Sequence, residues 1–407
     1  MPSADDTRVG RATRRQFLFG GATAGIGVAA GAAGGILAVQ ALGAEQPAPT
    51  APPHGEQRVP FFGAHQAGIA TDAQAHALFL GLDLRADVDR ADLGRLMRLL
   101  TDDAARLTQG RPALADTEPE LAVSPARLTV TFGFGPALVA RAGGPAPAWL
   151  APLPAFSIDR LQPAFSDGDL LVQIAADDPL TVAHAARMLL KDARRFTTVR
   201  WSQPGFRRAH GTERPGTTMR NLFGQVDGTS NPQPGTADFD RVVWSDEGWL
   251  TGGTSAVIRR IRMDLDSWDK LDRDGREASV GRTLDTGAPL TGTSEHDEPD
   301  LEAKNRLGFP VIPVFAHLRR SRSDNPHERI FRRAYNYDAA PAGDAVSDSG
   351  LLFVSFQADV ARQFTPLQRR LDELDLLNQW TTPIGSAVFA IPPGCAEHGF
   401  IGDTLLG

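Results

Sequence analysis

Apolar and polar residues alternate along several short segments of the chain, and some of these segments are followed by apolar residues at helical spacing. In residues 76–85, HALFLGLDLR, the alternation is typical of a strand, and in residues 91–110 Leu and Met recur at the spacing of an amphipathic helix. A strand is predicted again in residues 127–143. Residues 169–196 contain a strand, an acidic turn and a helix, before the extended segment 197–206. The predicted order of elements is therefore β-α-β-β-α-β.

The second half of the chain repeats part of this pattern. Residues 254–268, TSAVIRRIRMDLDSW, are strand-like, and residues 350–380 contain a strand, an acidic turn and an amphipathic helix, as residues 169–196 do. This recurrence indicates a loose internal repeat. We therefore predict an α+β fold built from two ferredoxin-like modules, residues 59–215 and 216–407, whose antiparallel sheets pack face to face in a dimeric α/β-barrel-like chain.

Residues 1–44 have the features of an export signal. Arg14 and Arg15 form a pair that precedes a run rich in Gly and Ala and ending near Ala44, which is typical of a twin-arginine signal. A permanent membrane span is the alternative, but the run is only moderately apolar. Residues 45–58 are rich in Pro, and we predict a disordered spacer there. We expect an exported protein, extracellular, periplasmic or associated with the cell envelope, with no stable membrane span after signal removal.

Composition narrows the class of ligand. The net charge of −7 at pH 7 disfavours nucleic acid or an anionic lipid surface as a partner and favours small molecules. Cys395 is the only cysteine, which excludes an internal disulfide and a cysteine-rich metal or cluster site. Because Lys191, Lys270 and Lys304 are the only lysines, a single arginine is weak support for a functional role. A metal or haem would have to be bound by His, carboxylate or Tyr.

The stretch NLFGQVDGTSNP, residues 221–232, places Asp227 among turn-forming residues. Gly224, Gly228 and Pro232 disfavour a regular helix or strand and predict a shaped loop that presents the carboxylate. An ordinary surface turn has the same composition. The presence or absence of a reactive partner elsewhere in the chain decides between these interpretations.

His317 follows the apolar, Pro-interrupted segment GFPVIPVFA. An imidazole in this position could bind iron through one ring nitrogen while an acceptor holds the other ring N–H. A partly buried histidine hydrogen-bonded to backbone is the alternative. His327 is flanked by polar and turn-forming residues, and we expect it to be solvated. A zinc site formed by the two histidines is disfavoured, because their separation does not place them on one face of a helix and no cysteine is available.

Three motifs, GQVDGTSNP, AHLRR and FRRAYNY, occur in the order found in the dye-decolorizing haem peroxidases, and the chain resembles this family. The segments 61–84 and 355–394 extend the likeness to nearly all of the chain after the leader. It is most similar to the subgroup that includes exported bacterial members. The resemblance implies one haem b per chain, with hydrogen peroxide and small organic reductants as substrates.

The resemblance also implies roles for individual residues. His317 would be the proximal iron ligand, and Asp227 and Arg332 would be the catalytic residues on the distal face of the haem. Asp359 would accept the second N–H of the proximal imidazole, with a helix N-cap as its alternative role.

Further cofactor contacts follow from the same resemblance. Arg332 is preferred over Arg333 as the distal arginine because of its spacing from the aromatic residue that Tyr337 matches. Arg282 and Arg319 would pair with the haem propionates, although solvated surface charge is an alternative for them. The additional predicted contacts are Gly228, Thr229, Arg282, Arg319 and Arg333.

The predicted activity is reduction of hydrogen peroxide coupled to one-electron oxidation of dye-like or phenolic donors. Asp227 would move a proton between the peroxide oxygens, and Arg332 would stabilise the negative charge that develops on the departing oxygen. An aspartate base stays ionised at acidic pH where a histidine base would be protonated, so we expect an acidic optimum. The alternatives are a deferrochelatase-like, haem-handling role in iron acquisition, service as redox partner of an extracytoplasmic metal-dependent oxidase, or a cofactor-free binding protein.

Overall fold

The computed structural model describes residues 53–341, 343 and 345–407. The predicted twin-arginine signal, residues 1–44, and residues 45–52 of the predicted spacer lie outside the described residues. Within the described part of the chain, no helix combines the length and the hydropathy needed to cross a bilayer.

The first half of the described chain folds in the predicted β-α-β-β-α-β order, with one added helix. Asp89 and Asp92 form a reciprocal capping box at the start of the first long helix, and the Asp178 carboxylate caps the second. The elements are β1 (His76–Leu84), α1 (Arg90–Leu107), β2 (Thr129–Phe134), α2 (Pro136–Ala142), β3 (Leu170–Ala176), α3 (Pro179–Ala193) and β4 (Thr197–Phe206).

The added helix corrects the prediction of one strand across residues 127–143. Strand β2 ends at Phe134, and α2 begins at Pro136, because proline lacks an N–H and its fixed backbone angle suits the first helical position. Gly143, with φ of +72°, then ends the helix.

The second half contains more and shorter elements around the same four-stranded plan. They are α4 (Ala237–Val243), β5 (Thr254–Met263), α5 (Leu265–Trp268), α6 (Arg273–Val280), α7 (His317–Arg320), β6 (Phe331–Arg332), β7 (Tyr335–Ala339), β8 (Asp348–Gln357), α8 (Thr365–Leu374), β9 (Thr381–Ile391) and α9 (Asp403–Leu406). A π-helical turn, Val360–Phe364, leads into α8. Short 3₁₀ turns occur at His54–Glu56, Pro119–Leu121, Pro163–Phe165, Gly248–Leu250 and Leu376–Gln379.

All the strand pairings are antiparallel, and the strands close into a barrel-like sheet. The order is β5-β9-β2-β3-β1-β4-β7-β8, with β8 pairing back to β5 and with β6 also on β8. The first half has the strand order β4-β1-β3-β2 and the second β9-β5-β8-β7, so both halves have the ferredoxin-like arrangement. Single residue pairs, Phe134 with Ala390 and Phe206 with Asn336, join the two sheets. The predicted α+β class with antiparallel sheets is confirmed.

Two apolar layers hold this arrangement together. One lies between the sheets and combines inward residues of both halves, including Phe79, Leu171, Leu352 and Phe389. The other lies under α1 and α3, which cover the opposite face of the first sheet. Because successive residues of a strand point to opposite faces, the second sheet also has an outward face, and that face is available to line a site.

The predicted disorder of the spacer does not extend to residues 53–58. His54 begins a 3₁₀ turn, its Nε2 lies 3.0 Å from the buried carboxylate of Asp177, and its ring stacks on that of His210 at 3.4 Å. Although these three side chains could supply metal-ligating atoms, the two rings lie in nearly parallel planes, so their in-plane lone pairs do not converge on one point. We interpret the cluster as an anchor for the start of the described chain.

A carboxyl pair between α1 and α3, formed by the buried Asp103 and the half-buried Asp192, predicts a pH dependence of stability. Burial raises the pKa of Asp192 to about 8, and a hydrogen bond with Asp103 and the charge of Asp103 act in the same direction. Asp192 in the native state therefore keeps a proton that the unfolded chain releases near its ordinary pKa of 3.8. Since the native state binds more protons between these two values, stability falls as pH rises through that interval.

Asp192→Asn should reduce this fall in stability, because the amide keeps a donor for Asp103 and does not titrate. We expect the free energy of unfolding of the variant, measured by urea denaturation between about pH 5 and pH 8, to decline less than that of the wild type. Asp102→Asn, which removes an exposed carboxylate of the same helix α1, is the control. Parallel pH profiles for wild type and Asp192→Asn would contradict the shared proton.

Candidate functional site

A cavity of about 680 Å³ lies against the outward face of the second sheet. Its floor includes Ile261 and Met263 of β5 and Leu351 and Phe353 of β8, which point away from the core between the sheets. Loop 221–232, α7, the π-helical turn and α8 form its walls. The volume lies in the range of cofactor sites, and the lining combines an apolar floor with many polar and charged side chains.

The loop that carries Asp227 is shaped as its composition predicts. The backbone N–H of Asp227 donates to the carbonyl of Met219 at 2.8 Å, and an isolated antiparallel bridge joins Arg220 to Val226. Gly228 follows with φ of +135°, a conformation that side chains disfavour. The loop therefore directs the Asp227 carboxylate into the cavity, which excludes the interpretation as an ordinary surface turn.

The side chain that pairs with Asp227 in the cavity is that of Arg332. Its Nη1 donates to the Asp227 carboxylate at 2.6 Å, and the two side chains, 25% and 12% exposed, both line the cavity. In a strand, neighbouring residues face opposite sides, and Arg333 is accordingly turned away from the cavity. It donates to the carbonyls of Thr71 and Asp72. The predicted contact of Arg333 with a cofactor is therefore wrong.

His317 is the first residue of α7 and faces the same cavity. Its Nδ1 lies 2.5 Å from a carboxylate oxygen of Asp375, and its side chain, enclosed by the cavity walls, is 32% exposed. Burial favours the neutral ring, but the charge of Asp375 and its hydrogen bond outweigh burial and raise the pKa of His317. Because Nδ1 is occupied, Nε2 is the ring nitrogen available to a ligand in the cavity.

The predicted contact between Asp359 and the imidazole is wrong. Asp359 caps the π-helical turn by accepting from the backbone N–H of Arg362 at 2.9 Å, which is the alternative role stated for it above. Asp375, at the C-terminal end of α8, takes the imidazole instead, and its side chain is only 4% exposed. The sequence analysis missed Asp375. Its local signal is an aspartate directly before a helical turn, which Asp359 matches equally well.

The two arginines predicted as propionate partners behave differently. Arg319 donates through Nη2 to the carbonyls of Leu301 and Ile312, the latter at 3.1 Å, and is absent from the cavity lining, so this prediction is wrong. Arg282 does line the cavity, where its Nη1 donates to the carbonyls of Gly287 at 2.6 Å and Glu295 at 2.8 Å. Burial, followed by the charge of Arg322, lowers the pKa of Arg282.

Gly228 and Thr229 line the cavity beside Asp227, as expected for cofactor contacts. The Thr229 hydroxyl donates to the Glu295 carboxylate at 2.9 Å, which holds the loop against the segment after α6. A buried cation, Arg259 of β5, was missed by the sequence analysis. It lines the cavity and pairs with Asp159 from the first half of the chain. Burial lowers the pKa of Arg259 and the Asp159 charge opposes that effect. Strand β5 also contains Arg260 and Arg262, so its local sequence does not single out Arg259.

The cavity thus combines an imidazole backed by a carboxylate with a carboxylate paired to a guanidinium. The two pairs line the same cavity, and the charges of Arg332 and Asp227 both act on the pKa of His317. An imidazole nitrogen is a good ligand for iron. An acid–base carboxylate beside a permanently charged donor can transfer a proton and stabilise developing negative charge.

Comparison with known sequences agrees with this site. The sequence model of the N-terminal domain of Dyp-type peroxidases matches residues 66–207, and that of the C-terminal domain matches residues 218–396. The two matches cover the two halves of the barrel-like sheet, and the second includes Asp227, His317 and Arg332.

Individual relatives show the same likeness along most of the chain. A dye-decolorizing peroxidase of Thermobifida fusca is 39% identical, with all of both chains covered, and a deferrochelatase of Escherichia coli strain 536 is 33% identical, also with all of both chains covered. The crystal structure of a DyP-type peroxidase from Cellulomonas bogoriensis has a TM-score of 0.85 and 56% identity, covering 87% of this chain and 99% of that one. The chain therefore belongs to the Dyp-type peroxidase family, whose enzymes are haem peroxidases.

Proposed function

We propose that His317 would bind the iron of haem b in this cavity and that Asp227 and Arg332 would carry out the peroxide chemistry there. One observation carries this proposal: the Asp375–His317 pair and the Asp227–Arg332 pair line one cavity of suitable volume. Hydrogen peroxide and small organic reductants are the substrates of such an enzyme. A protein redox partner outside the cytoplasm stays a prediction.

The donor set fits the cofactor on the iron side. Nε2 of His317 is free for a metal, while Asp375 holds Nδ1 and fixes the orientation of the ring. A carboxylate that accepts the second ring N–H makes the imidazole a stronger donor to a metal. Phe353, Phe364 and Leu367 supply apolar wall for a flat organic group, and polar and charged side chains line other parts of the cavity.

The cationic residues of the cavity fit the acidic edge of the cofactor. Arg282 lines the cavity, and among the described residues its guanidinium donates to backbone carbonyl oxygens. Burial and the charge of Arg322 lower the pKa of Arg282, which indicates a cation that an anion would stabilise. We assign Arg282 to a haem propionate on this basis. Thr229 and Gly228 contribute the adjoining wall.

Bound haem supplies an iron centre that accepts electrons from organic donors one at a time after reaction with peroxide. The protein supplies the proton transfer and the electrostatics. The Asp227 carboxylate accepts a proton from one oxygen of hydrogen peroxide and returns it to the departing oxygen. The Arg332 guanidinium, which stays charged across the working pH range, stabilises the negative charge on that oxygen as the O–O bond breaks.

The relatives named deferrochelatase belong to the same family, so they do not favour iron release over peroxide reduction for this chain. Asp227 and Arg332 favour peroxide reduction, because both supply proton transfer and charge stabilisation to a breaking O–O bond. Removal of iron from an intact porphyrin requires protons on the pyrrole nitrogens, but it has no departing oxygen whose charge Arg332 could stabilise.

We also propose that residues 1–44 direct export by the twin-arginine route, which carries proteins already folded around their cofactor. Replacing both Arg14 and Arg15 by Lys keeps the charge but removes the guanidinium groups of the motif. We expect the variant to accumulate in the cytoplasm with its haem bound, as measured by cell fractionation and peroxidase activity in each fraction. Substitution of Arg8 and Arg11 by Lys is the control. Unchanged export of the Arg14, Arg15 variant would contradict the proposal.

Removing the proposed iron ligand should abolish the normal absorption spectrum of the holoenzyme. His317→Ala should lose most of the intense Soret absorption on reconstitution with haemin, while His327→Ala, which changes an exposed histidine, should keep it. Asp375→Asn should retain the cofactor but bind it about 10- to 100-fold more weakly, because the supporting carboxylate charge is lost. A wild-type spectrum and affinity for His317→Ala would contradict the assignment.

Substitution of Asp227 or Arg332 should slow the reaction with peroxide without removing the cofactor. Asp227→Asn and Arg332→Leu are each expected to slow the reaction with hydrogen peroxide by about 100- to 1000-fold, measured by stopped-flow absorption. Haem content should remain normal, and Asp246→Asn, an exposed change, should have no effect. For the wild type the peroxide rate should persist at acidic pH, since the base is a carboxylate. A rate that rises only above neutral pH would argue against Asp227 as the base.

A further inference from the structure

The strand that carries Arg332 is very short, and its outer edge is completed by a side chain. Strand β6 consists of Phe331 and Arg332, paired with Phe356 and Ser355 of β8. The backbone N–H of Arg333 donates to the carbonyl of Val354 at 2.8 Å, so Arg333 presents its backbone to β8. The backbone groups of its neighbour Arg332 therefore face the opposite edge.

Asn231 occupies that edge. Its Nδ2 donates to the carbonyl of Arg332 at 2.7 Å, and its Oδ1 accepts the N–H of Arg332 at 3.0 Å. A carboxamide carries one acceptor and donors in the geometry of a peptide group, so this side chain takes the place of a neighbouring strand. Without it, both backbone groups of Arg332 would lose their partners in a partly buried place, which is costly.

The same asparagine belongs to the loop that carries Asp227. Its backbone N–H donates to the carbonyl of Gly228 at 3.0 Å, which closes the turn directly after Asp227. Two connections therefore join the loop to β6. One is the ion pair between Asp227 and Arg332, and the other is the pair of hydrogen bonds from Asn231 to the Arg332 backbone.

The ion pair and the Asn231 hydrogen bonds respond differently when hydrogen peroxide enters the cavity. Each side chain of the ion pair has to reorient toward peroxide, because the Arg332 guanidinium and the Asp227 carboxylate at present satisfy each other at 2.6 Å. The Asn231 contact involves only the backbone of Arg332, so it persists while the ion pair opens. It therefore holds the backbone of the Asp227 loop next to the backbone of Arg332 when the two side chains move.

We propose that Asn231 is a positioning residue for the peroxide reaction, which holds the Asp227 loop and the Arg332 strand in register. This inference rests on the proposed roles of Asp227 and Arg332. Misplacement of a reacting group by about 1 Å can slow an enzyme about 100-fold, and loss of the Asn231 contact permits movement of this kind. Asn231→Ala should therefore slow the reaction with peroxide by about 10- to 100-fold, and the KM for the organic reductant should stay at its wild-type value.

The experiment uses the haem-loaded full chain in a double-mutant cycle. Peroxide rate constants are measured for wild type, Asn231→Ala, Arg332→Leu and the double variant. If Asn231 acts through Arg332, its substitution adds little in the Arg332→Leu background, because residues that act as a unit are not additive. Asn231→Asp keeps the acceptor for the Arg332 N–H, loses the donor and adds a negative charge beside Asp227, so it should also react slowly.

A second readout does not depend on turnover. Backbone amide exchange of a peptide spanning residues 331–334, followed by mass spectrometry, should accelerate in Asn231→Ala because the Arg332 N–H loses its acceptor. Asn305→Ala is the matched control. Asn305 also binds loop backbone through its carboxamide, at Leu307 and Phe309, but it lies outside the cavity lining. It should change neither the exchange of this peptide nor the peroxide rate.

The outcomes are distinct. Slow peroxide reaction and fast exchange in Asn231→Ala, with normal haem content and non-additivity with Arg332→Leu, support the proposal. A wild-type peroxide rate in a folded, haem-loaded Asn231→Ala overturns it. Fully additive effects also overturn it, because the residue would then act by another route. A wild-type peroxide rate in Arg332→Leu would instead contradict the proposed function. In that case the amide exchange of Asn231→Ala still shows whether Asn231 holds the strand that carries Arg332.

Discussion

Contact between the inward faces of the two antiparallel sheets is the interaction on which the rest of the structure depends. Phe79 and Leu171 of the first half meet Leu352 and Phe389 of the second in one apolar layer, and burial of such side chains is the main favourable contribution to folding. Once that layer fixes the second sheet, strand alternation leaves the opposite set of side chains on its outer face. The cavity is a consequence of this alternation and of the helices and loops that cover the outer face.

The site places charge in a region where isolated charge would be costly. Asp375 with His317 and Asp227 with Arg332 are each close pairs in which one partner stabilises the other. The pairing has a functional side as well. Partial burial strengthens the interaction of these groups with any reacting molecule, so the apolar part of the cavity wall increases the electrostatic effect of the two pairs.

Much of the fold and the centre of the site could be predicted from the sequence, because the signals are local or depend on motif order. The strand–helix patterns around residues 76–110 and 169–206 are periodic, and the loop around Asp227 has an unusual concentration of turn formers. Arg332 and Arg333 could be told apart only by motif spacing, and the structure puts the first in the cavity and the second on the opposite face.

Other residues could not be assigned from sequence, for identifiable physical reasons. Asp359 and Asp375 both begin a helical turn, so local pattern does not reveal which of them reaches His317. The path of the chain through the π-helical turn and α8 decides it in favour of Asp375. Local sequence also does not reveal whether Arg319 or Arg259 reaches the cavity. Arg319 lies close to His317 in sequence yet turns to backbone carbonyls, whereas Arg259 reaches the cavity from a strand distant in sequence.

The side chain of Arg333 connects the two halves of the molecule one residue away from Arg332 in the cavity. Its guanidinium is almost fully buried and binds the Thr71 and Asp72 carbonyls and the Gln74 side chain, all from the first half of the chain. A fragment that began after residue 215 would lose all three acceptors and expose the guanidinium that they cover. The first half of the chain is therefore a structural requirement for the packing of the strand that carries Arg332.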